Sequence, residues 1–430
     1  MKRSDFLDGV RPTALAILLA LVACSSPTPP PPPSATPPLI VTSGPAPATP
    51  TTVTIQSDPT ATTAPTLPPE PSATPAPGEP TEVPPGVLGP TNFPANVNPL
   101  TGLAVSDPAV LDRRPLAVKV SQFPRRVRPQ SGLSLADLVF EHYAEAGVTR
   151  MTAVFLGNDA PQIGSIRSAR LIDIALAESY DAMLVTSGSS QGVLNALART
   201  PFYDRVIAEA TGYDECPPLC RLGTEASTNN LFASSTDLWA TADSLGLNGR
   251  QTLDGMAFFA EPPAGGTPVD TIHVDFQLNY AIAEWRYDAA AGRYARWMDT
   301  DVEGELAPQT DEVNGQQLSA ANVVVLYANH VTSDIPEDFG NGGHCGYEIQ
   351  VWGSGPAQLS RNGQMYLVTW VRFAQTEVIG FVGADGQPVP LAPGNTWVEI
   401  VDFDSPTTIE NGVFNTRFKG PSQSVGCPVN

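Results

Sequence analysis

Three regimes of hydrophobic and polar patterning divide the 430-residue chain. Thr13 to Ala23 (TALAILLALVA) is an apolar run of eleven residues, preceded by Lys2, Arg3 and Arg11 with Asp5 and Asp8 among them. It is too short to span a bilayer and has the length and basic flank of a secretory signal. Ser25 to about Ala95 carries Pro, Thr, Ala and Ser with almost no large apolar residues, including the run Pro29 to Pro33. Such a segment buries too little surface to offset chain entropy, and its prolines favour extended polyproline II. It is predicted to be a disordered tether. From Asn96 onward folding patterns begin, and about 335 remaining residues suggest two domains. The expected organisation is signal peptide 1–23, tether 24–95, a mixed α/β domain 96–260 and a β-rich domain 269–430, an α+β chain as a whole.

In the first domain, Pro115 to Val120 (PLAVKV) reads as a short strand. Ala136 to Leu156 has two possible readings. Asp137, Glu141 and Glu145 recur every fourth residue, as on one helix face, but the β-branched and aromatic residues at 139–143 and 148–155 favour two strands. The hairpin is preferred, with Ala146-Gly147 as its turn. In that register Tyr143 faces Arg150, and Glu141, Tyr143, Glu145 and Arg150 share one side of the sheet. Ser165 or Ser168 is expected to cap a helix running to about Tyr180, with Leu171, Ile174, Ala175 and Leu176 buried. Ala182 to Thr186 is an apolar strand, followed by the turn Ser187-Gly188-Ser189-Ser190 and a second helix from Gln191. A strand, a Gly/Ser turn and a helix start can together cradle an anion on free backbone N–H groups.

Beyond the Gly/Pro-rich segment 261–268, strand patterns dominate, at 271–276, 283–288, 293–297, 322–327, 347–352 and 365–370. Trp285, Trp297, Trp352, Trp370 and Trp397 are expected to serve as core and cross-strand residues, with a sugar-stacking surface as the alternative. His330 and His344 have no ligand spacing, and neither a metal nor a cofactor is expected.

Charge narrows the partners. The chain carries a formal net charge of −21, and the two folded domains about −18 of it. That argues against nucleic acid as a partner, and against adsorption to anionic lipid or wall polymer through bulk charge. Any anion must be held by a local pocket. Besides Cys24, the four cysteines Cys216, Cys220, Cys345 and Cys427 are an even number in an exported chain, which suggests disulfides. Three pairings are possible. Cys216–Cys220 around Pro217-Pro218 and Cys345–Cys427 are preferred, and a zinc site using His344 is the lesser alternative.

Against this acidic background, Arg167 and Arg170 stand near an expected helix start, where cations are unfavourable without a negative partner. They are either buried partners of Glu141, Glu145 or Asp181, or a clamp for a carboxylate or phosphate. Arg125, Arg126 and Arg128 form a further cluster, either solvated or at the rim of the same pocket. Gly188, Ser190 and Gly192 match a nucleophile-elbow pattern. A triad would need a histidine, and His273, His330 and His344 all lie in the second domain, so a capped helix start is preferred. No catalytic residue is assigned. The candidate ligand-binding residues are Glu141, Glu145, Arg150, Arg167, Arg170, Ser187, Gly188, Ser189 and Ser190.

Five segments occur in an order that carries a family resemblance: NPLTGL (98–103), RPQSGLSLAD (128–137), EAGVTR (145–150), IGSIRSAR (163–170) and SGS (187–189). With the strand at 392–401 they resemble the YerB-like lipoproteins of bacteria, from about Asn98 to Asp402. The resemblance implies a two-domain exported lipoprotein and no established reaction. Leu21-Val22-Ala23-Cys24 likewise resembles a bacterial lipobox, which implies cleavage before Cys24 and lipidation of its thiol. Where family members have Pro-His-Asn-Leu-Tyr, this chain reads Thr228-Asn229-Asn230-Leu231-Phe232, so Asn229 stands at the histidine position. The expectation is a lipid-anchored extracytoplasmic envelope protein, a binding or accessory module with a local pocket for a small anion or a peptidoglycan fragment. The alternatives are a cell-wall or ester hydrolase using Glu141 and Glu145 or Ser190, and a structural partner of another envelope protein.

Overall fold

The computed structural model describes residues 86–225, 228–276, 281–338, 344–421 and 427. The signal segment, Cys24 and residues 24–85 of the expected tether lie outside the described residues. Residues 86–95 do not behave as tether. Leu88 exchanges backbone hydrogen bonds with Phe258 (2.9 and 2.8 Å), and Leu88 and Phe93 pack against the core. These two large apolar side chains supply surface that the preceding composition lacks.

β1 (Leu116–Ser121), β2 (Leu138–Tyr143) and β3 (Thr149–Phe155) form an antiparallel group with β1 and β2 flanking β3. The hairpin turn is at Ala146-Gly147, whose φ values of 50° and 78° suit a two-residue turn matched to strand twist. The pairing differs from the expected one by a residue. Ala144 N donates to Val148 O (2.9 Å) and Val148 N to Glu145 O (3.0 Å), so two residues oppose one and a bulge results. Tyr143 therefore faces Thr149, His142 faces Arg150, and Glu141 faces Met151. The bulge moves Glu145 to the Arg150 side and leaves Glu141 on the other, because side chains alternate faces along a strand.

β4 (Ile163–Gly164) leads into an extended segment bonded to β1 through Arg167 N to Lys119 O (2.9 Å). Helix α1 (Leu171–Ser179) begins later than expected. Neither Ser165 nor Ser168 caps it. The Asp173 carboxylate accepts from Arg170 N (2.6 Å), so Arg170 is the residue at the helix entrance and Arg167 lies in the preceding segment. β5 (Met183–Val185), α2 (Gln191–Leu197), β6 (Val206–Ile207) and α3 (Ser235–Ser244) follow, and the short strands Cys220–Arg221 and Leu231–Ala233 form a small sheet with β4. β5 and β6 extend the sheet in parallel beyond β1.

The second half does not build a separate core. Its strand Thr396–Asp402 lies between β2 and the strand Asn322–Asp338 and is parallel to both. Gly353–Arg361, Gln364–Arg372 and Gly380–Val382 continue outward, so one twelve-stranded sheet runs through both halves. Every residue of Thr396–Asp402 is buried, as a central parallel strand covered on both faces requires. A second, seven-stranded sheet contains Thr271–Asp275, Ile282–Asp288, Arg293–Asp299 and Val413–Arg417. The fold is β-rich with three α-helices among the described residues, and no helix there is long and apolar enough to cross a membrane.

Polar groups fasten the second sheet to the first. Arg296, fully buried on Arg293–Asp299, donates to Glu399 Oε1 (2.8 Å), to Glu141 Oε2 and to Gln309 Oε1 (2.6 Å). Its guanidinium lies over Trp397 and Trp285, 4.5 and 4.9 Å from their ring centres. Trp285 Nε1 also donates to Glu399 Oε1 (2.9 Å). Glu141 and Glu399 are direct neighbours across the parallel pair, so one cation is shared by two buried carboxyls. Burial, then the charge of Glu141, push the Glu399 carboxyl up to about 8, and Arg296 offsets this only in part.

Because the folded state holds the Glu399 proton more tightly than the unfolded chain, this contribution is complete below about pH 4.5. It is lost as the pH rises through about 8. Glu399→Gln mimics the protonated acid at every pH. Urea unfolding from pH 5 to 8 should show the wild type losing stability relative to this variant by more than about 1.4 kcal/mol, the equivalent of one pKa unit. A constant difference across that range would mean Glu399 does not titrate there.

Candidate functional site

Four chain segments converge at the bulged end of the β2–β3 hairpin. The hairpin brings Glu145 and Arg150, the segment before α1 brings Arg167, Ser168 and Arg170, and the turn after β5 brings Ser189 and Ser190. The strand Asn322–Asp338 brings Glu337 from the second half. They line a cavity of about 510 Å³, closed on further sides by Phe123 and Thr228.

Glu145 is the hub. Its Oε1 accepts from Arg150 Nη2 (2.8 Å) and Arg170 Nη2, and its Oε2 from Arg170 Nε (2.7 Å). The two-pronged contact with Arg170 suits a planar guanidinium. Burial alone would raise the Glu145 pKa, but Arg150 and Arg170 outweigh it and hold the carboxyl at about 2. Arg170 Nη1 also reaches Glu337 (3.3 Å) and Ala169 O (2.9 Å), and Arg150 Nη1 donates to Ser168 O (2.7 Å). Burial and the charge of Arg170 pull Arg150 down to about 9.

Arg167 differs from these two. Its Nη1 donates to Thr228 O, while among the described residues its buried Nε has no partner and no carboxylate forms an ion pair with it, although the charge of Glu145 reaches it. Burial and the nearby charge of Arg170 lower its pKa, so an anion in the cavity would relieve both costs. Glu337 is displaced the other way. Burial raises it, with Arg170 and the Ser190 hydroxyl opposing and Glu145 adding to the rise. Three guanidinium groups thus face at most two carboxylates.

A buried ion pair lies behind this wall. Lys119 Nζ, on β1, donates to Asp173 Oδ1 (2.9 Å), Thr152 Oγ1 (3.0 Å) and His142 Nε2 (2.6 Å). His142 Nδ1 then donates to Tyr143 O (2.8 Å), which fixes the neutral tautomer. Burial and Lys119 push the histidine down to about 3, and burial lowers Lys119 to about 8 despite Asp173. Through its second oxygen Asp173 holds the Arg170 backbone, so this cluster sets where the Arg170 side chain starts.

Glu145, Arg150, Arg167, Arg170, Ser189 and Ser190 therefore meet at one cavity. Glu141 does not. It stays on the opposite face, where Thr149 Oγ1 (2.6 Å) and Arg296 engage it, while the bulge moves Glu145 away from it. Asp181, the other suggested partner of the two arginines, pairs instead with Arg114 (2.8 Å) and Arg205. Ser187 and Gly188 support the turn rather than line the cavity: Ser187 N donates to Arg167 O (3.1 Å), and Gly188 O accepts from Ala169 N (2.9 Å). The expected helix-start cradle is not open either, since α2 has only seven residues and Ser190 Oγ accepts from Val193 N. Among the described residues that line the cavity there is no histidine, so the nucleophile-elbow reading lacks the His of a triad, and Ser190 meets the Glu337 carboxyl instead. Arg125 and Arg128 clasp Asp299 (2.7 and 3.2 Å) and do not form a rim. With its amide oriented to satisfy both neighbours, Asn229 bridges Thr228 O and Arg126 Nη2 (3.3 Å), just behind the cavity wall. Both preferred disulfides are present, with Cα separations of 4.7 Å for Cys216–Cys220 and 5.0 Å for Cys345–Cys427.

Sequence reading missed Lys119, His142, Asp173 and Glu337. A lone lysine inside the apolar run LAVKV was the available signal for the first, since a charge in a buried strand needs a partner. Glu337 had no local signal, because its role arises only from the shared sheet.

The DUF3048 N-terminal domain, a protein of unknown function, matches residues 100–248, and its C-terminal domain matches residues 272–398. The chain belongs to the DUF3048 family. It is 28% identical over 313 residues to "Putative lipoprotein YerB" of Bacillus subtilis (strain 168), covering 71% of this chain and 87% of that protein. The crystal structure of YerB from Bacillus subtilis superposes with a TM-score of 0.59 at 26% identity, over 71% of this chain and 96% of the other. The two family domains correspond to the two halves that share the twelve-stranded sheet.

Glu145→Gln should destabilise the protein at pH 7 by about 3–5 kcal/mol, because it leaves two buried guanidinium groups without their carboxylate. Glu145 has a depressed pKa, so its contribution is present above about pH 4.5 and lost as the pH falls toward about 2. Unfolding free energies of wild type and variant should therefore converge on acidification. A gap at pH 7 below about 1 kcal/mol would remove Glu145 as the hub.

Proposed function

We propose that the protein is an extracytoplasmic, lipid-anchored envelope component whose first half recognises a small anion. The bound group is a carboxylate or phosphate, free or carried by a peptidoglycan fragment. The observation that supports this most is Arg167, which lines an open cavity and, among the described residues, has no carboxylate of its own and a buried Nε left unbonded. Arg150 and Arg170 are already committed to Glu145, so they act as a rigid wall that holds positive potential beside Arg167. The family relative's name as a putative lipoprotein supports the lipid anchor, as do the apolar run at 13–23 and Cys24. The net charge of −21 disfavours polyanions such as nucleic acid and leaves room only for a ligand small enough to enter the cavity.

A thermal-shift titration of the full chain with phosphate, citrate and muropeptides tests this reading. A ligand of the native state raises the melting temperature in proportion to the logarithm of its concentration at saturation. A rise of about 3 °C or more is expected for at least one probe, with Arg167→Ala losing it. The variant itself should fold normally, because Arg167 anchors no buried carboxylate. No shift with any probe, or a shift that Arg167→Ala leaves unchanged, would overturn the proposal.

A further inference from the structure

Four of the five tryptophans in the second half have structural occupations. Trp285, Trp370 and Trp397 are buried, and Trp297 lies under the Arg286 guanidinium, 3.9 Å from its ring centre. Trp352 does not share this role: it is 45% exposed, and Phe373 beside the same cavity is 66% exposed. That cavity, of about 490 Å³, shares no lining residue with the arginine site. Its floor is one face of α1, where Leu171, Ile174, Ala175 and Glu178 recur at helical spacing, with Ile349 opposite.

The backbone that carries the two aromatics is held in place. Arg372, itself 2% exposed, donates through Nη1 to Val351 O (3.2 Å), next to Trp352, and through Nη2 to Gln375 O in the loop that follows Phe373. Glu377 accepts from Phe373 N (2.6 Å) and Ala374 N (2.9 Å), which pins that loop from its other end. One buried guanidinium therefore ties the backbone beside both aromatics to a common frame, and a pre-ordered backbone loses little entropy on binding.

The charges around the rings select the ligand. Glu178 and Glu348 line the cavity with Arg372 among them. Two carboxylates disfavour an anion, and the Arg372 guanidinium beside them offsets part of their pull on a cation. A hydrocarbon would cover the carboxylates without supplying the hydrogen bonds they lose from water. A ligand with an apolar face for the rings and neutral hydroxyl donors at its edge meets all three conditions. We propose that this cavity binds a neutral saccharide unit of a glycan strand, stacked against Trp352 and Phe373, with Glu178, Glu348 and Gln375 at its hydroxyls. The volume lies within the range of small-molecule sites. This proposal does not depend on the anion site.

Calorimetric titration of the full chain with tri-N-acetylchitotriose, cellotriose and maltotriose tests it. At least one should bind saturably below about 10 mM, with affinity falling more than about tenfold in Trp352→Ala and in Phe373→Ala. Trp352→Tyr should retain binding, and Arg167→Ala should leave it unchanged, which separates this site from the anion pocket. Both aromatic side chains are exposed, so the melting temperature of each alanine variant should match wild type and exclude misfolding as the cause. Three outcomes would overturn the proposal: no saturable binding of any of the three sugars, binding indifferent to Trp352→Ala, or displacement of the sugar by Arg167→Ala.

Discussion

The strand Thr396–Asp402 is the element on which the rest of the structure depends. It enters the first half's sheet beside β2 and is parallel to both of its neighbours. A chain whose halves are joined by an apparent linker at 261–268 thereby acquires one sheet and one continuous core. The strand also carries Trp397 and Glu399 to the face where Arg296 of the second sheet meets them. A buried guanidinium shared by two carboxyls stabilises little or nothing relative to apolar packing, but removing one member leaves an uncompensated charge. The cluster thus acts through geometry, holding the two sheets in one register. Through the same sheet, Glu337 on Asn322–Asp338 is delivered to a cavity otherwise built by the first half.

β2 and the turn beyond it feed two charged clusters of opposite orientation. Glu141 points to Arg296 and joins the two sheets, while Glu145, four residues on, points to Arg150 and Arg170 and builds the cavity wall. A regular strand would have put both on one side. The bulge at Ala144 separates them, so a one-residue irregularity divides a fastening from a candidate site. In the arginine cavity nearly every strong group is already satisfied. What distinguishes it from a sealed ion-pair cluster is Arg167, left with a carbonyl partner and an open side.

Helix α1 links the two cavities. Arg170 at its entrance belongs to the arginine site, and Leu171 through Glu178 floor the aromatic one. The helix is short, and it is fixed at its start by Asp173, which is in turn fixed by Lys119 and Thr152. Its position is therefore dictated by the buried face of the sheet, acting through its own capping residue Asp173.

Much of the local structure was legible in the chain. The hairpin with its Ala146-Gly147 turn and the two disulfide pairings are the preferred readings among alternatives, and the strand at 115–120, the β5 strand and the strand-rich second half followed from patterning. So did the convergence of Glu145, Arg150, Arg167 and Arg170, because cations in an acidic chain need local partners. The sequence did not determine which face each acid takes. Unbroken alternation would put Glu141 and Glu145 on one face, and a bulge leaves no mark in composition. Nor did it reveal Glu337, the Glu399–Arg296 fastening or the late start of α1, since each comes from contacts between residues tens to hundreds of positions apart. Propensity and spacing act within a few residues, whereas the pairing of β2 with Thr396–Asp402 is decided by what buries both faces of a central strand. Only the tertiary fold could settle that, and with it which charged side chains seal one another and which is left open.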